Sequence, residues 1–144
     1  MKNLVIFFVF VLISVSSVFG QSLSIRMSIP DWINMGMSRE EVENRLGAPV
    51  VEDDNIISYR NTFNDFYAFQ FNQENNLTGY SITLEYDYLP IFDSLVGIYS
   101  NPTENYKDSC YWVFSSNLRN IILIYLEDKD GYTSIAYLFT NHLK

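Results

Sequence analysis

From Tyr80 to Asp87 the chain alternates without a break: Tyr80, Ile82, Leu84 and Tyr86 against Ser81, Thr83, Glu85 and Asp87. A side-chain period of two belongs to a strand, whose successive side chains point to opposite faces of a sheet. The same period runs through Tyr67, Phe69 and Phe71 against Ala68 and Gln70, and through Ile57 and Tyr59 against Ser58 and Arg60. Asn72 to Asn76 is a polar turn between two of these runs. The expectation is three antiparallel strands, apolar on one face and wet on the other.

A helix is expected just before them. Ser38 is an N-cap, and Glu41 three residues on completes a capping box. Met37 and Val42 stand where a hydrophobic staple forms. Glu40, Glu41 and Glu43 suit the positive end of the helix dipole, and Arg45 the negative end. Gly47 can take a positive φ at the end, and Pro49 stops continuation. Val42 and Leu46, four apart, form the expected buried stripe. Pro30-Asp31-Trp32-Ile33 reads as a further first helical turn, with Pro at its start.

A second set of elements follows. Pro90 opens a helix over Ile91–Tyr99, and Asn101-Pro102 closes it. Strands are expected near Cys110–Ser115, Asn120–Leu126 and Tyr132–Phe139, with Glu127 to Gly131 as the last hairpin turn. The two sets align at an offset of 53 residues, matching Val42 with Leu95, Pro49 with Pro102, Tyr59 with Trp112 and Ile82 with Ile135. The fold class predicted is therefore α+β: short helices packed on an antiparallel three-stranded sheet, duplicated as helix-β-β-β twice. The units are 21–87 and 88–144.

The first twenty residues read differently. Lys2, an apolar run from Leu4 to Val15, and Val18-Phe19-Gly20 at the end give the charge, core and cleavage-site layout of a signal peptide over 1–20. The alternative is an uncleaved anchor, for which the run is short of the roughly 20 apolar residues a span needs. The expected location is periplasmic or secreted. Cys110 is the single cysteine, so no internal disulfide is available and the fold rests on its core. A net charge of −8 argues against nucleic acid and against docking on anionic lipid. Membrane association is expected only through a partner or an uncleaved signal.

The stretch Gly36-Met37-Ser38-x-x-Glu41-Val42-x-x-x-Leu46-Gly47-x-Pro49 resembles the signature of the BamE (SmpA/OmlA) family. The resemblance implies a small periplasmic domain with helices on an antiparallel three-stranded sheet, and a non-catalytic protein-binding role. The tandem layout also looks like the β-lactamase inhibitory proteins. The motif residues are caps and a helix stripe, so they describe a structure rather than a site. BamE proteins are lipoproteins, and here no cysteine follows the apolar core.

Residues suited to catalysis are scarce. His142 is the only histidine and lies near the C-terminus, where a rigid neighbourhood for a base is rarely supplied. Cys110 shares strand parity with Trp112 and Phe114, which predicts a buried, inert thiol. Without other His or Cys no zinc or other soft-metal site is expected. Glu127-Asp128-Lys129-Asp130-Gly131 lacks the spacing of a calcium loop, and Glu52-Asp53-Asp54 reads as a solvated loop. Neither a catalytic residue nor a cofactor is expected.

What stands out is the second set of strands, apolar on both faces. Cys110, Trp112, Phe114, Ile122, Ile124, Ile135, Tyr137 and Phe139 can face the helix. Tyr111, Val113, Ile121, Leu123, Tyr125, Ala136 and Leu138 then lie on the other side. Either this second face is covered by residues 21–35 or by the first unit, or it is exposed and binds a partner. In the exposed case Tyr111, Val113, Leu123, Tyr125 and Leu138 are the partner-binding face. The functional expectation is an exported protein that binds another envelope or secreted protein, with a secreted enzyme inhibitor as the alternative.

Overall fold

The computed structural model describes residue 23, residues 26–118 and residues 121–139. The expected signal peptide over 1–20 and His142 lie outside the described residues. Two helices are defined among those described, α1 (Arg39–Leu46) and α2 (Tyr88–Tyr99). The strands are β1 (Val51–Glu52), β2 (Ile56–Arg60), β3 (Phe66–Phe71), β4 (Leu77–Leu84), β5 (Glu104–Asn105), β6 (Ser109–Leu118), β7 (Ile121–Lys129) and β8 (Tyr132–Phe139).

These strands form one eight-stranded antiparallel sheet in the order β1-β2-β3-β4-β8-β7-β6-β5. The expected α+β class, a three-stranded sheet under its helix made twice, is overturned. The fold is closer to all-β, with two helices of 8 and 12 residues resting on a single sheet. The cause is the pairing of β4 with β8, from Gly79 opposite Leu138 to Leu84 opposite Thr133. Left apart, each strand would present a long row of unpaired N–H and C=O groups. Joined, they leave only the two-residue strands β1 and β5 at the sheet's edges.

The strand order reads the same from either edge, and local geometry follows it. Val51 pairs with Ser58 in β1–β2, and Glu104 pairs with Tyr111 in β5–β6. The Val50 N–H donates to the Ser58 carbonyl at 2.7 Å, and the Thr103 N–H to the Tyr111 carbonyl at 2.8 Å. Both helices end on a residue of positive φ, Gly47 at 82° and Ser100 at 67°. Each of these donates its N–H to a carbonyl four residues back, on Glu43 and Val96. Ile82 and Ile135 face each other on the central pair.

One face of the sheet is the core. Ile57, Phe69, Tyr80, Tyr137, Ile124 and Trp112 form a row across six strands, and all are buried. Val42 of α1 and Ile91 and Leu95 of α2 cover its two ends. The middle is covered by the N-terminal segment, through Leu23, Met27, Ile29 and Ile33. Tyr137 Oη donates to the Met27 carbonyl at 2.8 Å, and the Trp32 ring lies 6.1 Å from that of Phe69. Burial of this much aromatic and branched surface, at about 25 cal/mol per Å², stands in for a disulfide.

Local chemistry explains the covering elements. Ser38 Oγ accepts from the Glu41 N–H at 3.2 Å, and Glu41 Oε2 accepts from the Ser38 N–H at 2.7 Å. Gly36, at φ 77°, donates its N–H to the Leu77 carbonyl, and Leu77 donates back to Met37. The start of the helix motif is thus tied to the first residue of β4. Leu46, expected in the buried stripe, is 39% exposed. It closes α1 beside the sheet edge, where only the two-residue β1 lies beyond β2. Pro30 to Ile33 forms a turn closed by Ile33 N–H to the Pro30 carbonyl at 3.0 Å, not a helical turn. α2 starts at Tyr88, ahead of Pro90, because Pro is tolerated in a first turn whose N–H groups have no helical partner.

Candidate functional site: the helix-free face of the sheet

The face opposite the helices is built by the alternate residues of the same strands. Tyr111 lies opposite Tyr125, and Tyr125 opposite Ala136. In the next row Val113 lies opposite Leu123, and Leu123 opposite Leu138. The five residues Tyr111, Val113, Leu123, Tyr125 and Leu138 therefore come together on β6, β7 and β8. Val113 is 54% and Leu138 36% exposed, while Tyr111, Leu123 and Tyr125 are half-buried by their neighbours.

Of residues 21–35, one of the two covers weighed for this face, those described pack on the core face instead. The helix motif Gly36, Met37, Ser38, Glu41, Val42, Leu46, Gly47 and Pro49 belongs to that same opposite side, at the other end of the sheet. It therefore contributes nothing to this surface.

One strand departs from simple alternation. The register of β7 against β8 shifts between Ile121 and Leu123. The shift inserts a residue and inverts the faces beyond it. Ile121, expected on the open face, is buried, and Ile122, expected on the core face, is 38% exposed.

The patch runs on toward the sheet's centre over Gly79. A Cβ there would stand 3.2 Å from Leu138 Cδ2 and 3.3 Å from Gln70 Oε1. Leu138 thus packs over the glycine, and the apolar row ends there against Gln70 of β3. In the adjacent row, which continues from Tyr125, the side chains are small, with Ala136, Ser81, Ala68 and Ser58 across four strands.

The outer border was not legible as a site in the sequence. Glu104 of β5 sits opposite Tyr111 and accepts a short hydrogen bond from the Tyr106 hydroxyl. The Tyr106 and Tyr111 rings are 6.5 Å apart, tilted by 34°. The two phenols hold the Glu104 carboxyl below the usual carboxylate range, Tyr106 most. The same bond pushes the Tyr106 phenol up to about 12. The 53-residue offset carried the only signal, since it places Glu104-Asn105 where Val51-Glu52 lies in the first half.

The other candidates fall elsewhere. Cys110 is buried on the core face and accepts from Tyr88 Oη at 3.4 Å. Burial pushes its thiol up, away from the reactive thiolate. Asp65, missed in the sequence, is fully buried and bound by Arg26 Nε at 3.0 Å and Asn61 Nδ2 at 3.0 Å. This network pins the N-terminal segment to the turn before β3. In the 127–131 run, Glu127 to Lys129 belong to β7, and Asp130 and Gly131, both at positive φ, make the two-residue turn. Among the described residues no three His, Cys, Asp or Glu side chains group to hold a metal ion. No described helix is long and apolar enough to cross a membrane.

No family model, no curated protein and no solved structure matches this chain.

Proposed function

We propose that this is an exported, non-catalytic protein that works by binding another envelope or secreted protein on the helix-free face of β6–β8. One observation carries the reading. Tyrosine, valine and leucine side chains stand in two adjacent rows on three long strands, on the face opposite the one that α1, α2 and the described N-terminal residues cover. Apolar patches with tyrosines at a wet border suit protein interfaces. The signal-like residues 1–20 support export, and the resemblance of Gly36–Pro49 to the BamE family supports a role in the envelope.

A second reading, a secreted inhibitor of an enzyme, draws on the paired layout that resembles the β-lactamase inhibitory proteins. In its favour, the cap and edge-strand geometry recurs at one constant offset on either side of a single sheet.

The test is crosslinked pull-down from the native envelope with mass spectrometry, using the wild type and Leu138→Asp. A protein crosslinked by the wild type and lost by the folded variant is expected. Equal capture by both would overturn the choice of face. Inhibition of a hydrolase by the pure protein would select the second reading. Turnover of a generic substrate by the pure protein would overturn both.

A further inference from the structure

We infer that the corner formed by Glu104, Tyr106 and Tyr111 seats an arginine side chain carried by a basic segment of the partner. This rests on the protein-binding reading of the adjoining face and names the chemistry of what docks there.

The ion pairs among the described residues join Arg26 to Asp65, Arg39 to Glu43 and Glu52, and Lys129 to Glu127. Glu104 belongs to none of them. Its carboxylate is instead held in place by the phenols of Tyr106 and Tyr111, neutral donors that leave it ionised and without a cation among the described residues. It also borders the apolar rows, through its pairing with Tyr111. The chain around it carries a net charge of −8, so the far field draws basic segments in.

Aromatic geometry decides between cations. Tyr106 is 56% exposed and lies at 34° to the Tyr111 ring, so the pair forms an open angle beside the carboxylate. A planar guanidinium can stack on such a ring while donating to the carboxylate in the same plane. An ammonium can do only one of these well. An exposed ion pair alone is worth little. Here, docking over the adjoining Val113 and Leu123 removes water from the corner and strengthens both contacts.

The experiment is an NMR titration of the full chain with acetylated tetra-arginine. The control peptide is tetra-citrulline, which keeps the shape and loses the charge. Shifts are expected to centre on Glu104, Tyr106, Tyr111 and Tyr125, with no response to tetra-citrulline. Glu104→Gln is expected to weaken binding by roughly tenfold, the size of one lost charge-assisted hydrogen bond. An unchanged affinity in Glu104→Gln would overturn the inference. So would shifts centred on Asp53-Asp54 or on Asp128 to Asp130. If Leu138→Asp loses its captured protein while Glu104→Gln binds tetra-arginine like the wild type, the inference fails and the reading of the face stands.

Discussion

Tyr59 and Trp112, 53 residues apart, hold the ends of the two helices in the same way. Tyr59 Oη donates to the carbonyl of Gly47 at 3.1 Å, and Trp112 Nε1 donates to the carbonyl of Ser100 at 2.9 Å. Each acceptor is the C-cap of its helix, and each donor is a buried core residue of the strand below. The bonds set where each helix ends over the sheet.

Removing them has graded consequences. Tyr59→Phe loses one hydrogen bond to a carbonyl that water can reach, at about 1 kcal/mol. Trp112→Phe loses the bond and also leaves a gap in the core, at about 2 kcal/mol or more. Urea unfolding of both variants checks the order. A larger loss for Tyr59→Phe would contradict it.

The Arg26–Asp65 pair is the most sensitive polar contact. Asp65 is fully buried, and Arg26 holds it together with Asn61. Arg26→Met leaves the carboxylate buried and unpaired, with an expected loss of about 3–5 kcal/mol. Asp53→Asn, on an exposed loop, is expected to change stability by less than about 0.5 kcal/mol. Comparable losses in the two would contradict this account of the N-terminal segment.

The capping box gives a pH dependence. Hydrogen bonds from the Ser38 backbone and hydroxyl hold the Glu41 carboxyl below its ordinary value. Its folded pKa is thus lower than its unfolded one, near about 4.3. The stabilisation is present above that value and is lost as pH falls through the folded pKa. The urea midpoint should drop between about pH 5 and about pH 3, and less steeply in Glu41→Gln. Identical slopes would contradict the assignment.

The bulge in β7 reverses two neighbouring isoleucines. Ile121→Ala removes a buried side chain and is expected to cost about 2–5 kcal/mol. Ile122→Ala, on an exposed residue, is expected to cost under about 1 kcal/mol. Thermal unfolding of the pair settles the register, and the opposite order would contradict it.

Much of the sheet was legible because alternation is local. Tyr67, Phe69 and Phe71, and Tyr80, Ile82 and Leu84, were placed on one face from spacing alone. The capping residues of α1 were equally local. The overall architecture was not legible, because whether β4 pairs with β8 depends on residues some fifty positions apart, and nothing near Ile82 or Ile135 specifies it. The bulge at Ile121–Leu123 was hidden in an unbroken apolar run, where parity carries no contrast. Asp65 looked like any loop acid until Arg26 was brought to it. Of the candidate face, Tyr111, Val113, Leu123, Tyr125 and Leu138 were readable from parity, while Glu104 sat on an edge strand too short to show a period and Tyr106 just beyond its end.

The central claim is that the face of β6–β8 is free surface and works as a binding face. Val113→Asp tests it most directly, because Val113 is the most exposed residue of the patch. The measurement is thermal unfolding together with crosslinked capture from the envelope. The account predicts a melting temperature within a few degrees of the wild type, as for a surface change of about 0.5 kcal/mol, and loss of the captured protein. A variant that fails to fold would show the face to be core. A folded variant that captures the same protein would show that binding lies elsewhere.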